Sequence, residues 1–119
     1  MFTYAVFEAL SDPNRRTILR LLTAEDLTAG ALAAHFEISR PAVSRHLRVL
    51  RQAGLVSQRR AGRQRIYRLE PEVLQEAADW LFALASRRIL AGEEATEELG
   101  RPQDRPARRT SGAPDWKQW

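Results

Sequence analysis

The stretch from Ile38 to Leu69 contains nine arginines and neither aspartate nor glutamate. In its first half the apolar residues Val43, Leu47 and Leu50 recur with the spacing of one helix face. The arginines between them then lie on the other face, turned away from a core. Because a helix of this kind can pack on a small domain and enter a nucleic-acid groove, the stretch predicts a phosphate-facing surface.

Composition narrows the class of protein. A chain of 119 residues is long enough for one domain with a modest core. The net charge is +4 and the chain contains no cysteine, which excludes disulfides and thiolate metal sites. Because the N-terminus lacks a signal-peptide pattern and no apolar run approaches the roughly 18 residues of a membrane span, we expect a soluble cytoplasmic protein without membrane insertion.

Periodicity and turn residues predict a mainly α-helical domain with a small β-hairpin. Ser11 and Asp12, Thr28 and Ser39 can each cap the start of a helix, and Gly54 can close one. The predicted elements are helices over 2–10, 13–24, 29–36 and 39–53, strand-like runs over 55–60 and 64–69 joined around 61–63, and a helix from Pro71 to about Leu90.

The last predicted helix has an apolar face wider than a solitary surface helix needs, which indicates a partner surface. Beyond it, four glutamates give way to a segment rich in proline, glycine and arginine. We therefore predict a folded domain over 1–92 and a disordered tail over 93–119.

Four sequence segments together resemble the ArsR/SmtB family of dimeric bacterial repressors, and within it the SdpR-like autorepressors more than the metal sensors. They are Phe7–Leu19, the segment 27–36, Val43–Leu47 and Leu50–Val56. The resemblance covers roughly 6–84 and implies a winged helix-turn-helix of order α1-α2-α3-α4-β-β-α5.

The resemblance also implies a homodimer, packed through the first and last helices, that binds double-stranded operator DNA. Two-fold symmetry places the fourth helices of the two subunits roughly 34 Å apart in successive major grooves of an inverted repeat. The dimer residues implied are Phe2, Val6, Val73, Ala77, Trp80, Leu81 and Leu84.

The family's base-reading positions fall here on Arg40, Pro41, Ser44 and Arg45. Arginine can bond the O6 and N7 of one guanine together, so Arg40 and Arg45 are the predicted specificity residues. The family often has Ser and His or Gln at these places. We therefore expect the operator of this protein to differ from those of its relatives. The side chains expected to bind phosphates, without reading sequence, are those of Ser39, His46, Arg48, Arg59, Arg60, Arg63 and Arg65.

Other interpretations stay open at this point. The chain is alternatively a protein-interaction winged helix that binds a partner through its last helix and tail and touches DNA only weakly. The surroundings of Trp80 and Phe82 could form a pocket for an unknown effector, although aromatic residues at this spacing are usually dimer core.

Metal sensing and catalysis have little support in the sequence. The segment 31–36 offers His35 alone as a metal ligand, and the last helix offers Asp79 and glutamates but no histidine. The sequence contains no recognisable catalytic-triad order and no phosphate-binding loop. We therefore expect that the protein binds no cofactor and is not an enzyme.

Overall fold

The computed structural model describes the backbone of residues 4–99 and the side-chain environments of residues 4–92. Its helices are α1 (Tyr4–Leu10), α2 (Pro13–Leu22), α3 (Ala29–Ala33), α4 (Arg40–Gln52) and α5 (Pro71–Leu99), and its strands are β1 (Leu27–Thr28), β2 (Val56–Ala61) and β3 (Gln64–Leu69). The winged helix-turn-helix expected from the sequence is confirmed, with α3 and α4 as the helix-turn-helix and β2–β3 as the wing. Phe2 and the part of the predicted tail over 100–119 lie outside the described residues.

The chain divides into two compact units, Met1–Ala77 and Ala78–Trp119. The first contains α1 to α4, the sheet and the first residues of α5. Within the described residues, the second consists of the remainder of α5.

The core of the first unit forms around α4. Val43, Leu47 and Leu50 are at most 1% exposed and pack with Ile18 of α2 and Leu32 of α3. All buried residues described in this core are apolar or, in the case of Tyr67, aromatic, and no described charged side chain is buried. The helix face that periodicity predicted to be apolar is therefore the face that is buried from water.

The helix starts follow the capping residues read from the sequence. The side chains of Asp12, Thr28 and Ser39 accept hydrogen bonds from the backbone N–H of Arg15, Ala31 and Ala42, at 3.0, 3.1 and 3.2 Å. Each bond satisfies one N–H group that the first helical turn leaves without a partner. At the other end of α4, Gly54 has a φ of 79°, a conformation that side chains rarely adopt.

The sheet differs from the expected two-stranded hairpin, because β1 adds a third antiparallel strand in the order β1-β3-β2. A two-residue strand leaves no periodic signal in the sequence. Strands β2 and β3 pair from Val56 with Leu69 to Ala61 with Gln64. The turn is thus only Gly62 and Arg63, and the φ of 63° at Gly62 suits the first central position of a type II′ turn.

Two helices end more than two residues away from the expected position. Helix α3 ends at Ala33, not Phe36, because the backbone N–H groups of His35 and Phe36 bond three residues back as the chain turns towards α4. Helix α5 continues to Leu99, past both the expected end near Leu90 and the boundary placed at 92/93. Residues 93–99 are mostly Glu, Ala and Leu, which favour helix, and turn-forming residues begin only at 100.

None of the helices in the described part of the chain has the length and apolarity needed to cross a membrane.

We expect Leu47→Ala to lower the free energy of unfolding by about 2–5 kcal/mol, because it leaves a cavity where α4 meets the core. Urea denaturation followed by circular dichroism measures the change. The matched control is Arg48→Ala on the exposed side of the same helix, which should stay within about 0.5 kcal/mol of the parent. Equal losses in the two variants would contradict the placement of α4.

Candidate nucleic-acid interface

Helix α4 presents a continuous polar face opposite the core. Arg40, Ser44, Arg48 and Arg51 follow one another at i, i+4, i+8 and i+11 and are all exposed. Pro41 and Arg45 are also exposed but lie further round the helix. The predicted base-reading residues thus divide between two adjacent strips of one surface.

A cleft of about 550 Å³ separates α4 from the β2–β3 hairpin; we call it the α4–hairpin cleft. Five of its described lining residues are arginines and none is acidic. Such a concave one-signed surface focuses positive potential and raises the local concentration of anions. The lining residues are Thr28, Ala29, Gly30, Arg40, Ser44, Arg48, Arg51, Arg63, Gln64, Arg65 and Tyr67.

The arginines of the hairpin lie on two opposite faces. Arg60 and Arg65 are directly paired across β2 and β3, so their side chains share one face. Arg59 lies on the other face, where its Nη1 atom is 3.2 Å from a carboxylate oxygen of Asp26. The side chains of that ion pair are 60% and 37% exposed, so solvent screens it and it contributes little to stability. Of the predicted phosphate contacts on the hairpin, Arg59 therefore already has an acidic partner within the chain.

His46 lies in an intramolecular contact, whereas the sequence suggested a phosphate contact. Its Nδ1 atom is 3.3 Å from Nη1 of Arg15 and 3.8 Å from a carboxylate oxygen of Asp12, and its side chain is 19% exposed. In the tautomer that lets Nδ1 accept from Arg15, only Nε2–H remains to meet a phosphate. The ring joins the start of α2 to the middle of α4.

Arg15 and Arg16, at the start of α2, contact the end of α1. Arg15 donates from Nε to the carbonyl of Ala9 (2.8 Å) and from Nη2 to that of Glu8 (3.0 Å). Arg16 donates from Nη1 to the carbonyl of Leu10 at 2.9 Å. These carbonyls end α1 and have no partner within the helix, so α2 caps α1 with two guanidinium groups.

The predicted dimer residues fall into three groups. Val6 and Ala77 are 0% and 3% exposed within the protomer, so they offer no surface to a second copy. Val73 is half-buried against the same core. Trp80, Leu81 and Leu84 are 45–50% exposed. Phe2 lies outside the described residues.

Arg51 is the site residue that sequence reasoning missed. It lines the α4–hairpin cleft, yet it was left out because it lies at the end of the helix, away from the positions that the family resemblance marks. The periodic strip from Arg40 through Arg48 was the available signal, since Arg51 continues it by three residues.

Metal-ligating groups do not gather in the described part of the chain, where no cluster of three or more His, Cys, Asp or Glu side chains occurs. His35 is exposed two residues beyond the end of α3.

Known proteins share this architecture. The family model of bacterial regulatory proteins of the arsR family matches residues 12–58, from α2 into β2. The transcriptional repressor SdpR of Bacillus subtilis (strain 168) is 49% identical over 77 residues, 65% of this chain and 86% of that protein. The arsenic resistance transcriptional regulator ArsR1 of Pseudomonas putida is 38% identical over 90 residues, 75% of this chain and 67% of that protein. A solved ArsR-like transcriptional regulator from Rhodococcus sp. RHA1 has a TM-score of 0.70 at 35% identity, with 79% of this chain and 89% of that chain covered.

The fold and the basic surface of α4 define a winged helix-turn-helix regulator that binds DNA. With 49% identity to a relative of which it covers 86%, the chain belongs to the ArsR family of bacterial regulatory proteins. The resemblance read from the sequence is confirmed, as is the expectation of a DNA-binding transcriptional regulator of the repressor class. The relatives named are regulators of transcription and not enzymes.

We expect Arg15→Met to lower the free energy of unfolding by about 1–3 kcal/mol, because the carbonyls at the end of α1 lose their charged donors. Thermal and urea unfolding measure the effect. Arg20→Met, on an exposed position of the same helix, removes the same charge and should change stability by less than about 0.5 kcal/mol. An Arg15 variant as stable as the Arg20 variant would show that the α1 cap contributes nothing.

Proposed function

We propose that the chain represses transcription as a homodimer that binds an inverted-repeat operator, with one α4 helix in each of two successive major grooves. The observation that carries the proposal is the exposed face of α4, whose side chains from Arg40 to Arg51 carry positive charge while its other face fills the core. A rigidly held helix can place these groups against base edges with little loss of conformational freedom. Because the DNA of a bacterium lies in its cytoplasm, the proposed site of action is the cytoplasm.

In this proposal Arg40, Pro41, Ser44 and Arg45 read the bases. Arg40 and Arg45 supply the fork of N–H donors that fits a guanine edge, and they leave the helix in different directions. Their different directions support contacts to different base pairs of a half-site. Pro41 would meet a thymine methyl or a sugar through apolar contact.

Phosphate contacts come from both sides of the α4–hairpin cleft. Arg48 stands on the helix side and Arg63 and Arg65 stand on the hairpin side, with Arg60 directly opposite Arg65 in the sheet. The hydroxyl of Ser39 accepts from the N–H of Ala42, which leaves its own hydrogen to donate to a phosphate. The remaining proposed phosphate contacts are weaker, because His46 and Arg59 are engaged within the chain.

Dimerisation is proposed to bury the exposed apolar part of α5. Trp80, Leu81 and Leu84 form one stripe by helical periodicity and are each about half exposed, which is unusual for large apolar side chains on a monomer. Covering them with the same stripe of a second copy gives the two-fold symmetry that an inverted repeat requires.

The signal that releases the protein from DNA is proposed to be a small molecule or a protein partner of unknown identity. The relative ArsR1 of Pseudomonas putida is an arsenic resistance regulator by name, but this chain has no cysteine to supply thiolate ligands. We therefore propose regulation without a thiolate-bound metal or metalloid.

The test of the proposed function is selection of bound fragments from random DNA by the purified full chain at near-physiological salt. Enrichment of one inverted repeat with half-sites about one helical turn apart supports it. The alternative, a protein-interaction winged helix, draws on the same exposed α5 side chains. Steeply salt-dependent binding with no enriched sequence would favour that alternative and overturn the proposed repressor function.

We expect Arg45→Ala to relax the base preference at one position of each half-site and to weaken operator binding by about 1–3 kcal/mol per site. Repeating the selection with the variant measures both effects. Arg20→Ala, which removes an exposed arginine from α2, serves as the matched control and should leave the selected sequence unchanged. If the two variants select the same sequence, Arg45 does not read a base.

For the dimer we expect Leu84→Asp to produce a folded monomer at micromolar concentration, because a carboxylate in an apolar interface loses its hydration. Sedimentation velocity measures the oligomeric state. The control is Phe82→Asp: Phe82 is 73% exposed but lies on the opposite side of α5, so this variant should remain dimeric. A Leu84 variant that sediments like the parent chain contradicts this interface.

A further inference from the structure

The side of the hairpin that faces α4 changes character along its length. Its directly paired residues are apolar at the base, where Val56 meets Leu69, and both arginine at the tip, where Arg60 meets Arg65. Between them Gln58 is paired with Tyr67. Tyr67 of this neutral polar pair lines the α4–hairpin cleft, and Gln58 lies directly across the sheet from it.

Gln58 joins the two sides of the cleft. With its amide oriented by the surrounding hydrogen bonds, its side-chain oxygen accepts from Nη2 and Nη1 of Arg51 at 3.0 and 3.3 Å. The same oxygen accepts from Nη1 of Arg65 at 3.2 Å. Arg51 belongs to the last turn of α4 and Arg65 to β3, so one oxygen atom holds a guanidinium group from each side.

The two guanidinium groups fix which way the amide points because they can only donate hydrogen bonds, and Tyr67 anchors the other end of the amide. The nitrogen of the Gln58 amide donates to the hydroxyl oxygen of Tyr67 at 3.1 Å, and Tyr67 is only 8% exposed. A core side chain therefore anchors the amide, and the anchored amide holds the two guanidinium groups. Long arginine side chains lose rotamer freedom in such an arrangement before any ligand arrives.

The charges around Gln58 are unbalanced. Within the described residues neither Arg51 nor Arg65 has a carboxylate partner, and Arg60 lies directly across the sheet from Arg65. Like charges in directly opposed positions destabilise a sheet. One neutral amide oxygen satisfies hydrogen bonds but leaves two positive charges close together, which an anion with several oxygens would relieve.

We propose that Gln58, anchored by Tyr67, holds Arg51 and Arg65 as a clamp for one phosphate of the DNA backbone in the α4–hairpin cleft. The proposal rests on the proposed function and adds to it a phosphate site with two positioning residues. Gln58 and Tyr67 do not touch DNA; they act through the two arginines. Because Arg51 is part of α4, the clamp fixes the distance between the helix that reads bases and the backbone beside it.

The test uses the operator obtained by selection, synthesised as a series of duplexes in which one phosphate at a time is replaced by an uncharged methylphosphonate. With the parent chain, one position per half-site should weaken binding because the clamp loses its anion. With Arg51→Ala that position should matter less, because Arg65 alone remains at the phosphate, and the slope of log K against log salt should become shallower by up to about 0.9 per site.

Gln58→Met keeps the length and charge of the site but removes the amide. We expect it to weaken operator binding about fivefold per site, as one lost hydrogen bond to a positioned group does, and to reduce sensitivity to the same methylphosphonate position. Tyr67→Phe removes only the hydroxyl and should shift sensitivity at that position in the same direction. This second variant keeps the core ring, so a folding defect in the first cannot account for both.

The matched control is Arg68→Ala. Arg68 lies on β3, carries the same charge and is paired with Ser57, on the face of the hairpin away from Gln58. Loss of the Arg68 side chain should leave unchanged the effect of each methylphosphonate position on binding, which we call the methylphosphonate profile. If the parent chain prefers its operator but Arg51 and Gln58 variants keep the parent profile, the clamp is overturned while the proposed function stands. A parent chain with no preferred sequence overturns the proposed function itself.

A free polyphosphate offers the same phosphate oxygens as the DNA backbone. A separate competition experiment therefore distinguishes the two ligands. Tripolyphosphate should displace operator DNA no better from the parent chain than from Arg51→Ala at matched ionic strength. Displacement that is strong for the parent and lost in the variant would overturn DNA as the occupant and assign the clamp to a free phosphate ligand.

Discussion

Burial of one face of α4 is the constraint on which the rest of the structure depends. Val43, Leu47 and Leu50 enter the core from this helix, and α1, α2 and α3 all pack around them. A helix held on one side has no freedom to turn its polar side inward, so the arginines of α4 must face outward. The same packing that stabilises the domain therefore creates the basic surface, and a mutation in the core would damage both.

Tertiary structure gives identical side chains different tasks. Arg15 caps the carbonyl end of α1, and Arg59 meets Asp26 on the outer face of the hairpin. Arg51 and Arg65 instead converge on an amide beside the cleft, without a carboxylate partner in the described residues. Positive charge that the protein does not neutralise is thus collected on the side where DNA is proposed to lie. This arrangement favours binding to phosphates but leaves repulsion in the free protein.

Much of the fold was predictable from local signals. The capping side chains, the apolar spacing of α4 and the glycine at its end predicted α2, α3 and α4 in their order, and two strand-like runs predicted the hairpin. Strand β1 was not predictable, because a two-residue strand exists only through its pairing with β3. The end of α5 was misplaced for another reason: its acidic residues were interpreted as the start of a tail, although Glu and Ala favour continued helix.

The candidate site divides along the same line. The sequence by itself determined that a basic helix and a basic hairpin follow each other, since periodicity and charge need no long-range contact to be read. It could not determine that His46 turns to Arg15, or that Gln58 lies between two arginines fourteen residues apart in the chain. Those contacts arise only when strand pairing and helix packing bring distant residues within hydrogen-bond distance. Local sequence therefore decided which surfaces are charged, and tertiary structure decided which charges are already bound and which remain for a ligand.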